Sequence, residues 1–470
     1  MIRIPVLAGA TLLALAACSG GGSSAGTPST PGALYFRADD GVTGSELWKT
    51  DGTAAGTALV KDIRTVPSPI APSAPRAIAA FNGALYFIAD DGVHGLELWK
   101  SDGTEAGTVL LRDINPAGSA FFGATTQQAL TAFNGALYFS ANDGSGNELW
   151  RTDGTEAGTR RVKDIIPGAG AGSPTSLTVF NGALYFSAND GASGDELWKS
   201  DGTDAGTVRV KDINPGSGGS GPSGLIVFEG ALYFSASDGT SGQELWMSDG
   251  TSAGTLRVKD IHPTGSSGPG WLTVLDGALY FTADDGLHGI ELWKSDGTEA
   301  GTVLVKDIDP AGDSTPENLV ACNGFLYFTA VEGGSDVELW KSDGTEAGTV
   351  RVRDINTGGS ALPQELTCFD RDLYFTADDG VSGRELWKSD GTEAGSARVK
   401  DIYPGPQGGV DFSPAGLTVF NGALYFQAFD GNGLVGVELW KSDGTEFGTV
   451  LVKDICQPNC SSSPSGFTPF

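Results

Sequence analysis

One twelve-residue phrase, Glu-Leu-Trp-Lys-Ser-Asp-Gly-Thr-Glu-Ala-Gly-Thr at Glu97–Thr108, returns nine times with small substitutions and leaves the chain little choice of fold. The tryptophans of the copies are Trp48, Trp99, Trp150, Trp198, Trp246, Trp293, Trp340, Trp387 and Trp440, spaced 51, 51, 48, 48, 47, 47, 47 and 53 residues apart. Each copy is preceded by Leu-Tyr-Phe, from Leu34-Tyr35-Phe36 to Leu424-Tyr425-Phe426, and nine of the ten tyrosines are used there. Only Trp271 stands outside the register. A period of about 40–50 residues indicates a propeller, a solenoid or an array.

The unit Ser176–Ile213 distinguishes among these. Leu177-Thr178-Val179-Phe180 reads as a short strand, and Asn181-Gly182 supplies the two positive-φ residues of a type I′ hairpin. Ala183–Ala188 is an almost continuous apolar run, expected of a strand covered on both faces. After a polar loop at Asp190–Asp195, Glu196–Lys199 makes a third strand, Asp201-Gly202-Thr203 turns it, and Val208–Ile213 makes a fourth. Four antiparallel strands per repeat is a propeller blade. The first copy begins at Ala33 without a first strand, whereas the tail Ser463–Phe470 matches that strand as it stands at Pro222–Phe228. The expected fold is therefore all-β, a single nine-bladed β-propeller closed by the C-terminal segment pairing into the N-terminal blade. In copy eight the turn is Asp370-Arg371, and a distorted hairpin is expected there.

These residues carry a resemblance to the bacterial ELWxxDGT repeat family, over nearly everything after about residue 33. The resemblance implies a secreted or surface repeat protein of unassigned activity. The start of the chain agrees: Arg3, an apolar run from Ile4 to Leu15, then small residues form an export signal too short to span a bilayer. Leu15-Ala16-Ala17-Cys18 resembles a lipobox, with Cys18 the lipidated residue and Ser19 fitting outer-membrane sorting. The expected organisation is a signal peptide at 1–17, a Gly/Ser/Thr/Pro tether at 18–32 and the propeller at 33–470.

With 29 basic and 58 acidic residues the net charge is −29, which repels nucleic acid. Four cysteines remain beside Cys18, enough for two disulfides in an exported protein. Cys456 and Cys460 lie four residues apart in the loop before the closing strand. Cys322 takes the place of Phe180 in its copy and Cys368 that of Val179 in the next, which puts them on confronting faces of neighbouring blades. No histidine lies near for a zinc site.

Paired acids in the loop after Leu-Tyr-Phe, Asp39/Asp40, Asp90/Asp91, Asp284/Asp285 and Asp378/Asp379, resemble half a calcium loop and are the candidate metal ligands. Asp-Gly turns and strand-end aspartates have a structural use of their own. The three histidines, His94, His262 and His288, include two that belong to loops of one blade. No nucleophile elbow, Ser-His-Asp arrangement or phosphate-cradling loop is present, so catalysis would need a residue that breaks the repeat. Loops between blades and between second and third strands open on one face and vary, which makes Phe121, Phe122, Trp271, Tyr403 and Phe412 the partner-contact candidates. The expectation is a monomeric, non-enzymatic lipoprotein of the cell envelope, outer membrane of a Gram-negative bacterium, binding a protein or glycan through that face without a cofactor. A carbohydrate-active enzyme and a periplasmic assembly scaffold are the alternatives.

Overall fold

Turn chemistry and alternation build one blade, and the period repeats it. Thr175–Phe180 turns at Asn181-Gly182 into Ala183–Asn189, which pairs with Asp195–Ser200, and Val208–Lys211 completes the sheet. Asn181 and Gly182 stand at φ 45° and 73°, the left-handed pair that this hairpin requires. The computed structural model describes residues 32–65, 72–121, 130–405, 413–431, 436–458 and 460–470, and contains nine such four-stranded antiparallel sheets. No helix occurs among the described residues. The protein is a nine-bladed β-propeller, its blades numbered here in the order of the copies.

The first strand of each blade is innermost and touches the first strands of its neighbours, as Gly270–Leu275 does with Glu317–Cys322. Ser465–Pro469 pairs antiparallel with Leu34–Asp39 to complete blade one, and lies between the inner strands Arg76–Phe81 and Ala415–Phe420. The C-terminal segment thus closes the ring, and no sheet edge is left between blades nine and two. Every inner strand starts on the face that carries the variable loops and ends on the face that carries the uniform turns.

Neighbouring blades are joined by one set of contacts used repeatedly. Leu, Phe and Trp of the repeat fill the seams: Trp198 packs with Leu149, Leu184 and Phe186, and the nine repeat tryptophans are only 3–7% exposed. Each such buried side chain contributes roughly 1.5–3 kcal/mol. Lys49 Nζ donates to the carbonyl of Gly103 in the next Asp-Gly-Thr turn (2.8 Å), and Lys61 Nζ to that of Thr108 (2.9 Å). Lys441 and Lys453 make the same bonds to Gly52 and Thr57, both at 2.7 Å, across the closure. The turn glycine has a steric reason as well, because a Cβ on Gly103 would meet the Tyr35 hydroxyl, and its φ is +85°.

The glutamate of Glu-Leu-Trp is the buried clasp of each blade. Glu97 accepts backbone N–H bonds from Ile114 (2.8 Å), Asn115 (3.3 Å) and Ala120 (3.0 Å), which fold the loop to the next blade over the strand end. In blade five Glu244 binds Ile261 N and the Ser267 hydroxyl in the same way. Burial pushes the carboxyls of Glu46, Glu97, Glu338, Glu385 and Glu438 up to about 7, against the lowering pull of these donors.

Cys322 and Cys368 form a disulfide between blades seven and eight, and Cys456 and Cys460 a second in the loop before the closing strand. The Asp370-Arg371 turn is not distorted as its sequence suggests. Both residues take positive φ, 49° and 75°, and Phe369 still faces Asp372. The ladder on either side outweighs the roughly 1–2 kcal/mol that a left-handed arginine costs.

Candidate functional site

A ring of nine similar blades is nearly uniform, so a site is sought where the repeat is broken. The paired acids of the loops are not such a break. Asp39 accepts from Gly41 N (2.7 Å), and Asp40 from Val42 N, Thr43 N and the Thr43 hydroxyl (2.9, 2.7 and 2.9 Å). Asp90/Asp91, Asp284/Asp285 and Asp378/Asp379 cap their own loops in the same manner. Among the described residues no three or more His, Cys, Asp or Glu side chains are grouped to hold a metal. His94 and His288 bond Asp91 and Asp285 at 2.7 and 2.8 Å, and these carboxylates hold both imidazoles above their ordinary pKa. His262 packs instead beside Gly286, in the loop that ends at His288.

The five aromatic candidates have different fates. Phe121 is 1% exposed and lies against Phe139 with ring centres 5.8 Å apart, so it is a core residue and offers nothing to a partner. Its loop folds inward because Ala120 N and Phe121 N both donate to the Leu96 carbonyl. Tyr403 is half-buried against Phe429 (5.1 Å). Trp271 belongs to an inner strand, at φ 55°, and is partly buried against the core below it. Phe122, Phe412 and Cys18 lie outside the described residues.

The inner strands carry the real departures. Each described inner strand with a full ladder is bulged near its start, and the residue after its first takes positive φ. That place is held by Ala77, Ser176, Gly224 and Gly416, but by Trp271, Asn318 and Glu365 in blades six to eight. Bulky side chains held in this conformation cost of order 1–3 kcal/mol and tend to gather at functional sites. Glu365 spends its carboxylate on Gly416 N (3.1 Å). Glu317, the first residue of its strand, accepts the Thr329 hydroxyl at its backbone carbonyl (3.3 Å), but its carboxylate receives no donor from the described residues, and desolvation by its neighbours raises its carboxyl.

Glu317 borders a cleft of about 160 Å³ between blades seven and eight at the mouth of the central channel. Asn318, Gln364, Thr315 and Thr329 add polar groups, and Val331, Val337, Leu362 and Pro363 form apolar walls. The volume is below the roughly 300–1,000 Å³ that encloses a whole small ligand. It suits one end of a longer one. Sequence reasoning missed this cleft because it sought variation in the loops, although Glu317 is legible as the sole acid at the first position of the described inner strands.

No family model matches the chain, and no curated protein matches it. Among solved structures the ring is similar to puromycin hydrolase, at 13% identity over 85% of this chain and 62% of that one, with a TM-score of 0.38. It is similar also to a prolyl endopeptidase (12% identity, 74% of this chain, 53% of that chain, TM-score 0.40). A Mycobacterium tuberculosis puromycin-hydrolyzing peptidase gives 9% identity over 82% of this chain and 54% of that one, with a TM-score of 0.41. The chain spans little more than half the length of these proteins. They stand as a correction to the expectation of a non-enzymatic binding protein, since the proteins similar to the ring are by name a hydrolase and peptidases. At these scores the likeness concerns the fold and assigns no activity to this chain.

Proposed function

We propose that the ring works at the mouth of its central channel and takes the ammonium end of a ligand into the cleft between blades seven and eight. The observation that carries this reading is the Glu317 carboxylate, without a donor among the described residues at the edge of a cleft whose other polar groups are neutral. A carboxylate so placed selects a cation, and a charge-assisted bond contributes about 1.5–3 kcal/mol. The amides of Asn318 and Gln364 orient the group, while Leu362 and Pro363 cover the methylenes that lead to it.

Titration calorimetry with n-butylamine and with lysine amide tests the reading. Binding should weaken at least tenfold in Glu317→Gln, and equal binding by the two proteins overturns it. Mass spectrometry of the recovered ligand reads turnover in the same samples.

The compartment belongs to the same proposal. The Met1–Cys18 sequence and its resemblance to a lipobox support an exported, lipid-anchored member of the ELWxxDGT repeat family, and two disulfides favour an oxidising environment. Palmitate labelling that is lost in Cys18→Ala is the expected result.

A further inference from the structure

In a chain of net charge −29 most strand cations are already engaged. Lysines of the third and fourth strands bind carbonyls of the next blade. Arg161, Arg209, Arg257, Arg351 and Arg398 each lie between two or more carboxylates. Arg37 and Arg76 differ: their side chains have no ion pair and no hydrogen bond among the described residues, and Nε and Nη2 of Arg76 are buried without an acceptor.

The two arginines adjoin. Arg37 pairs across the ladder with Ser465, the first residue of blade one's inner strand, and Arg76 is the first residue of the inner strand it touches, that of blade two. Both break the repeat, since the place of Arg37 is held by Ser140, Ser187, Ser235 or Thr282 in other blades and that of Arg76 by Thr175, Ser223 or Gly270. Partial burial lowers the pKa of both, and the charge of Arg37 lowers that of Arg76 further. Two adjacent guanidiniums without a counter-ion are costly, and their forked donors match the oxygens of a carboxylate or phosphate.

We propose that the channel-mouth seam between blades one and two is an oxyanion site, in which Arg37 and Arg76 together hold a carboxylate or a phosphate group. It lies three seams around the ring from Glu317 and does not depend on the amine reading.

Thermal unfolding of the full chain in inorganic phosphate, in acetate and in chloride, at equal ionic strength, tests it and separates the two oxyanions. The wild-type Tm should rise with the logarithm of phosphate or acetate concentration. Arg76→Gln and Arg37→Gln, shown to be folded by circular dichroism, should lose that response. In chloride Arg76→Gln should melt no lower than wild type, because a repulsion has been removed. An equal response in wild type and both variants, or no response in wild type to either oxyanion, overturns the proposal.

Discussion

Ala33 and Phe470 exchange a pair of backbone hydrogen bonds, Ala33 N–H to the Phe470 carbonyl at 2.7 Å and Phe470 N–H to the Ala33 carbonyl at 2.9 Å. The ring is therefore held shut by the same ladder that builds each blade. Phe467 supports it from within, 8% exposed and 5.6 Å from the Phe36 ring. Phe467→Ala should destabilise by about 3–5 kcal/mol. Removal of residues 463–470 should lower the calorimetric Tm further and give aggregates on size-exclusion chromatography, since blade one would lose its inner strand. A truncated chain that melts like the full one would show that closure contributes nothing.

Gly103→Ala should cost far more than Gly135→Ala, although both residues have positive φ, +85° and +74°. A Cβ on Gly135 meets nothing within 4 Å and carries only the roughly 1–2 kcal/mol of left-handed backbone. A Cβ on Gly103 also collides with the Tyr35 hydroxyl of the preceding blade. Tyr35→Phe in the Gly103→Ala background should recover part of the loss, and a double-mutant cycle by urea unfolding measures the coupling.

Stability should fall between pH 5 and pH 8. The clasp glutamates titrate near 4.5 when unfolded and at about 7 in the ring, so in that window the folded protein keeps protons that the unfolded chain has released. Their contribution is complete below about 4.5 and is lost as pH rises through about 7. His94 and His288, also raised, act in the same direction. The turn aspartates such as Asp51 and Asp153 are lowered by their threonine partners, and their contribution is lost only as pH falls below 3.8. Glu97→Gln, whose amide NH₂ would confront backbone donors, should cost about 1–3 kcal/mol and flatten the slope of Tm against pH.

Loss of the Cys322–Cys368 bridge should matter more than loss of Cys456–Cys460. The chain-entropy relation gives about 4 kcal/mol for the 46-residue separation and about 2 kcal/mol for the four-residue one. Calorimetry of the two double-alanine variants gives the order directly. The opposite order would place the stabilisation in local strain relief rather than in the unfolded chain.

The architecture was legible because its signals are local and repeated. Asn181-Gly182 dictates its turn, the apolar run at Ala183–Ala188 its burial, and the match of Ser463–Phe470 to Pro222–Phe228 the closure. Glu97 was harder to read: an acid inside an apolar strand is conspicuous, but only the fold shows the three amides that converge on it. Phe121 misled because loop membership says nothing of which way a loop folds. Arg37, Arg76 and Glu317 escaped notice because each matters only beside a residue of another strand, and strand adjacency across a seam has no local sequence signal.

Phe470 stands where the other blades turn from first strand to second, so Phe470 and its partner Ala33 lie on the face of uniform turns. A tether on Gly32, as the proposed lipid anchor requires, would therefore leave the ring from that face. Glu317, Arg37 and Arg76 stand at the opposite rim, so both proposed sites face away from the point where such a tether would attach.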